Sequence, residues 1–315
     1  MRWSTFRTTG DEDHVGVWRD DTLYAVPGVR RLVDLLGDDG TRLREAAETA
    51  IATREAVDLA TVELLAPIPD PPSIRDFMAF EEHVVTASDA IGLTVDPLWY
   101  EQPVFYFTNP AAVLGPHADV PIPPGSGAFD YELEVAAVVG KDGSDLTPEE
   151  AERHIAGFML YCDWSARDLQ GTEMKLNLGP AKGKDSANGF GPWLVTADEL
   201  ASRGSGRGYD VALTASVNGA GYSGGNVADL YWSFGEMIAY ASRGTRVRPG
   251  DVIGSGTVGT GCVLELSRVH GAEKYPWLHA GDRVRLEAEL LGAIDARVVA
   301  GSSVRPLRPP EGARG

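Results

Sequence analysis

Glu132 and Glu134 stand two positions apart in the run Asp-Tyr-Glu-Leu-Glu-Val-Ala-Ala-Val-Val-Gly, residues 130–140. Successive side chains of a β-strand point to opposite faces, so the two carboxylates share one face while Tyr131, Leu133 and Val135 take the other. The residues that follow, 136–139, are apolar enough to be core. Two like charges beside a core are costly unless a cation or hydrogen bonds compensate them. Asp163 ends a second apolar run, 155–161, and can bring a third carboxylate to the same point. Oxygen ligands gathered on semi-rigid strands suit a hard divalent cation: Mg²⁺ first, with Mn²⁺ or Ca²⁺ as alternatives. The other reading of this spacing is a half-exposed strand with solvated glutamates.

Further along, Ser165-Ala-Arg167-Asp-Leu-Gln170 leads into Leu178-Gly-Pro-Ala-Lys-Gly-Lys184-Asp185. Gly179, Pro180 and Gly183 make a tight irregular loop, a place where functional side chains are often mounted. Its spacing is not that of a P-loop. Residues 249–261 read as a strand running into a glycine-rich loop that holds Thr257, and 262–266 as a resumed strand carrying Glu265. With no helix expected after it, the glycine loop points to close backbone packing around a small ligand rather than to a nucleotide. Upstream, Asp76 lies at a turn and His83 two helical turns later. A lone histidine on a helix is more often a surface or capping residue than a catalyst, and Glu81 and Glu82 read as a solvated face.

These groups need a framework. The chain has 315 residues, room for one large domain or a small one plus a large one. Forty-six acidic against 28 basic residues give a net charge of −18, which argues against nucleic acid or an anionic membrane as partner. No run approaches the apolar length of a membrane span, and the N-terminus lacks an apolar signal core, so a cytoplasmic location is expected. Cys162 and Cys262 lie far apart in apolar runs and read as buried structural cysteines. Residues 1–70 read as a small α+β unit, with strands near 3–6, 14–18 and 23–26 and a helix over 41–56; the proline-rich stretch 67–72 marks its boundary. A strand over 103–107, a capped helix from Thr147, a loop at 204–208, a hairpin turn at Asn218-Gly219, an amphipathic helix over 227–243 and paired strands over 281–299 fill residues 71–306. The tail, 307–315, reads as disordered.

The chain resembles the fumarylacetoacetate hydrolase family over residues 70–306. The resemblance rests on Asp130-Tyr-Glu-Leu-Glu-Val, Cys-Asp163-Trp-Ser-Ala-Arg-Asp-Leu-Gln, Leu-Gly-Pro-Ala-Lys-Gly-Lys184 and Pro-Gly-Asp251-Val-Ile-Gly-Ser-Gly-Thr257. It implies a β-rich α+β fold, a mixed β-roll catalytic domain behind the small N-terminal one, usually dimeric and holding a divalent metal. The metal ligands implied are Glu132, Glu134, Asp163 and, through Asp76-Phe77 ahead of His83, Asp76. His83 is then the catalytic base and Glu265, in Leu-Glu-Leu, the partner that orients it. Arg167, Gln170 and Lys184 would hold negative charge, and Thr257 with nearby backbone amides the substrate carboxylate. Met78 and Met174 stand where some family members carry substrate-binding tyrosines, and Gly92 stands near the position of an arginine.

The activity implied is metal-dependent hydrolysis of a carbon–carbon bond in a 1,3-diketo acid such as an acylpyruvate. Decarboxylation of an oxaloacetate-like acid and isomerisation of a 2-oxo-enoate are alternatives on the same site. A non-catalytic metabolite-binding protein is the reading from another class.

Overall fold

The computed structural model describes residues 1–90 and 92–308. Every residue of the strand Leu133–Val139 is buried, as expected of an apolar run covered on both faces. It pairs antiparallel with Ile155–Asp163, from Leu133 opposite Cys162 to Val139 opposite Ile155, and on its other side with Val252–Gly254. Val252–Gly254 runs parallel to Ile74–Phe77, which pairs antiparallel with Phe105–Thr108. This register matters for chemistry: Gly254 faces Asp76, and Asp76 faces Tyr106. Two of these strands thus bring polar side chains, and the third a glycine, to one end of the sheet.

These strands belong to a twelve-stranded mixed sheet, and a second, five-stranded sheet is built from Ala220–Asn226, Ala212–Val217, Arg283–Ala288, Gly292–Val299 and Val120–Pro121. A large core that includes Leu133, Val135, Leu160, Leu213 and Leu286 packs between them. The N-terminal residues are not packed apart. Arg2–Thr8 pairs with Leu194–Thr196, so Arg2–Thr8, Asp13–Arg19 and Thr22–Ala25 extend the large sheet. Trp3, Val15 and Leu43 share a core with Ala136, Val138 and Met159 from the central strands. The proline-rich stretch is a boundary in sequence, while the packing runs across it.

Three local expectations are corrected. Residues 262–266 do not resume as a strand: Val263–His270 is a helix with Val263, Glu265 and Leu266 buried. The long helix expected over 227–243 divides into a 3-10 turn, Val227–Asp229, and the helix Phe234–Ser242. The later start is set by a capping box, in which Ser233 accepts from Glu236 N–H and the Glu236 carboxylate accepts from Ser233 N–H. The loop at 204–208 contains a small hairpin, Gly204–Ser205 against Gly208–Tyr209. The tail expected from Leu307 lies, from Pro309 onward, outside the described residues. No helix among the described residues is long and apolar enough to cross a membrane.

Candidate active site

The solvated-glutamate reading of the acidic strand fails on burial. Asp76, Glu132, Glu134 and Asp163 are exposed by 5% or less, and their carboxylate oxygens lie within 4.8 Å of one another. Such a set cannot stay fully ionised in a low-dielectric interior without compensation. Part of it is in place. Lys184, itself buried, donates from Nζ to Asp163 Oδ2 at 2.6 Å and also to Glu132 Oε2. Arg167 Nη1 lies 2.8 Å from Glu132 Oε1, and Gly256 N–H donates to Glu134 Oε2 at 2.9 Å. The Tyr106 hydroxyl lies within hydrogen-bond reach of both Asp76 Oδ2, at 3.1 Å, and Asp163 Oδ2, and its one proton is shared between them.

The compensation is uneven, and the carboxyl groups divide accordingly. Burial pushes Asp76 up to about 6, with Lys184 pulling the other way. Burial likewise raises Glu134, reinforced by the Asp76 charge, and raises Asp163 against the pull of Lys184. At Glu132 the cost of burial is outweighed by Lys184 and Arg167, which hold the group below the usual carboxylate range. Three oxygens, Asp76 Oδ1, Glu134 Oε1 and Asp163 Oδ1, are buried with no hydrogen-bond partner. Buried orphan acceptors are rare because each costs about 1–3 kcal/mol. A divalent cation with oxygen ligands fits them, since it would satisfy all three and hold the carboxyl groups ionised.

His83 follows on the helix Glu81–Ala90 and is 8% exposed, so it is not a surface histidine. Its Nδ1 lies 2.9 Å from Oε2 of Glu265, which is fully buried. Glu265 occupies the first turn of Val263–His270, where its Oε1 accepts from Thr260 N–H at 3.1 Å and its Oε2 from the Cys262 thiol at 3.3 Å. A carboxylate held at both oxygens is a fixed partner for an imidazole. Thr257 is buried in the loop before this helix. There Gly256 has φ +77°, and a Cβ on it would stand 2.5 Å from the Phe77 carbonyl and 2.8 Å from Met78 Cα. The absent side chain lets the loop lie against the segment between Asp76 and His83.

The fold puts the other residues singled out in the sequence in different places. Gln170 Oε1 accepts from Arg167 Nη1 at 3.3 Å. Met78 is half-buried, with its carbonyl accepting from Trp99 Nε1 at 2.8 Å. Met174 is 51% exposed on the 3-10 turn Met174–Leu176. Two polar residues of the site went unassigned in the sequence reading. Tyr106 lies in the apolar run 103–107, and nothing in that run marks its hydroxyl. Asp130 opens the acidic strand and pairs with Arg167 Nε at 2.8 Å; an aspartate next to two glutamates was the available signal.

Residues 73–299 match the family described as fumarylacetoacetate (FAA) hydrolase, C-terminal. The mitochondrial oxaloacetate tautomerase FAHD2A of Homo sapiens is 32% identical over 199 residues, 63% of this chain and 60% of that protein. The first two curated relatives are matched over only 52% and 60% of their own lengths. Among solved structures, a fumarylacetoacetate hydrolase from Exiguobacterium antarcticum aligns with a TM-score of 0.72 at 26% identity, covering 95% of this chain and 99% of that one. A fumarylpyruvate hydrolase from Pseudomonas aeruginosa, solved with Mn²⁺ and pyruvate, aligns with a TM-score of 0.59 at 25% identity, covering 73% and 90%.

Proposed function

The chain belongs to the fumarylacetoacetate hydrolase family, and from that premise we propose that it is a metal-dependent hydrolase cleaving a carbon–carbon bond of a 1,3-diketo acid. One observation carries the reading: four buried carboxylates with three unpartnered oxygens, beside a histidine whose Nδ1 lies 2.9 Å from a buried glutamate. Asp76, Glu132, Glu134 and Asp163 would hold the cation. The all-oxygen set suits Mg²⁺, and Mn²⁺, present in the Pseudomonas fumarylpyruvate hydrolase, suits it as well.

When bound, the metal supplies a Lewis acid that polarises a carbonyl and favours the enolate. The chain's own groups supply the rest. With Nδ1 turned to Glu265, His83 has Nε2 left to take a proton from water, and Glu265 stabilises the imidazolium that results. Lys184, Arg167 and Gln170 place positive charge and hydrogen-bond donors where negative charge develops on cleavage, the logic of an oxyanion hole. Thr257 and the adjoining backbone amides bind the substrate carboxylate. Met78 and Met174 offer no hydroxyl, which favours an acyl group less polar than fumaroyl. A homodimer acting on a small oxo-acid completes the reading.

The test is direct. Incubated with an acylpyruvate and Mg²⁺ or Mn²⁺, the protein should remove the enol absorbance and release two acids, and EDTA should stop both. A second reading has an observation of its own, the match to an oxaloacetate tautomerase. Tautomerisation leaves the mass of an oxaloacetate-like acid unchanged, and carbon dioxide release would instead mark decarboxylation.

A further inference from the structure

The helix that carries Glu265 begins without a cap of its own. Cys262 stands at the position before its first turn and makes no side-chain cap bond. A helix start leaves its first backbone N–H groups without intrahelical partners, and buried ones must find partners elsewhere. Here a residue 133 positions earlier supplies them. Asp130 Oδ1 accepts from Val263 N–H at 2.7 Å, and Oδ2 accepts from Leu264 N–H at 3.0 Å.

The same carboxylate faces the acidic cluster. Asp130 Oδ2 accepts from Arg167 Nε at 2.8 Å, and the Nη1 of that guanidinium reaches Glu132 Oε1 at 2.8 Å. With a further bond from Tyr131 N–H to Oδ1 at 2.8 Å, both Asp130 oxygens are satisfied and the side chain is fully buried. One anion therefore joins the strand end Phe129–Asp130, the start of the Glu265 helix, and the arginine beside Glu132.

We infer that Asp130 is a positioning residue tying the His83–Glu265 pair to the carboxylate cluster; this rests on the reading of that pair as the proton-handling groups. It acts in two ways. It pins the first turn of the helix, and so the place of Glu265 relative to His83. It also takes up part of the Arg167 charge, so that the guanidinium does not turn wholly onto Glu132 and compete with a cation there. Without the carboxylate, the buried Val263 amide and the part-buried Leu264 amide lose their acceptors, and Arg167 swings its full charge toward Glu132. Outer partners of this kind alter metal affinity or activity by about 10–100-fold when removed.

The experiment uses the full chain, wild type and Asp130→Asn, with three readouts: amide exchange at Val263 and Leu264, Mn²⁺ affinity by calorimetry, and kcat and KM on an acylpyruvate. In the wild type the two amides should exchange slowly, unlike the first-turn amides of an ordinary helix. In Asp130→Asn a single side-chain oxygen is left for two N–H groups, so at least one of the two amides should exchange fast, with Mn²⁺ affinity and kcat each lower by about 10–100-fold and KM moving far less. Fast exchange in the wild type overturns the inference, as does a variant with wild-type Mn²⁺ affinity and kcat. Should Asp130→Asn fail to fold, Asp130→Glu keeps the charge opposite Arg167 while displacing the cap; wild-type readouts there overturn the inference equally. If the wild type cleaves no diketo acid, the hydrolase reading fails by itself, and amide exchange with Mn²⁺ affinity still decides the role of Asp130.

Discussion

Gly254 and Asp76 sit side by side on parallel strands, so close that a Cβ on the glycine would stand 2.4 Å from Asp76 Oδ1 and 2.9 Å from Tyr161 Cε1. The missing side chain is what lets a carboxylate lie inside the sheet end rather than above it. Gly254→Ala must displace Asp76 or the Tyr161 ring. Overpacking of this kind costs about 1–3 kcal/mol. The expected outcome is a lower melting temperature with a larger loss of Mn²⁺ affinity, read by thermal unfolding and calorimetry on the same sample.

The raised carboxyl groups make metal binding and pH one problem. A carboxyl whose pKa is higher in the fold than in the unfolded chain favours the fold only while it is protonated. The metal-free protein should therefore lose stability as pH rises from the ordinary carboxylate range, about 4, through about 6 for Asp76. Glu134 and Asp163, raised by burial, extend that loss upward. Glu132 has the opposite sign: its lowered pKa stabilises the fold above the unfolded range and is lost only in acid. A dication displaces the protons, so Mn²⁺ affinity should strengthen as pH rises through about 6, with protons released on binding. Melting curves with EDTA and with Mn²⁺, plus calorimetry in buffers of different ionisation enthalpy, measure both effects.

Lys184 is the cation that the fold itself contributes. Buried between Glu132 and Asp163, its ammonium is held protonated by those charges against the cost of burial. Lys184→Met leaves two carboxylates facing each other, and breaking a buried pair in this way costs about 3–5 kcal/mol. The variant should unfold early in EDTA and regain part of that stability with Mn²⁺. Equal destabilisation with and without metal would remove Lys184 from the cluster's charge balance.

His83 and Glu265 should separate from the carboxylates in their effects. His83→Ala and Glu265→Gln are expected to lower kcat by about 10²–10⁴-fold while leaving Mn²⁺ affinity near wild type. Asp163→Asn should lower both. Steady-state kinetics beside metal titration tells the two groups apart, and full activity in His83→Ala would remove the proposed base.

What the sequence revealed depended on the range of the interactions involved. The alternation that puts Glu132 and Glu134 on one face is local, and so is the apolar run that buries their strand, so the acidic cluster could be anticipated from spacing. Asp163 was within reach of the same reasoning, as the sequel of a second apolar run, but Asp76 meets the cluster through strand pairing and Lys184 from a loop, and their selection came from resemblance. The helix Val263–His270 was misread because Cys-Val-Leu-Glu-Leu is a short apolar run that suits either strand or helix. Its cap, Asp130, lies 133 residues away. The start of Phe234–Ser242 was legible in principle, since Ser233 and Glu236 have capping-box spacing. Tyr106 carried no mark at all, because only the register with Ile74–Phe77 turns its hydroxyl to Asp76 and Asp163.

Anomalous diffraction from crystals soaked in Mn²⁺ puts the metal itself to the question. One strong peak coordinated by oxygens of Asp76, Glu132, Glu134 and Asp163 is the expected result. Crystals that take up no Mn²⁺ at that cluster, with the four carboxyl groups unmoved, would contradict a metal centre there and the chemistry built on it.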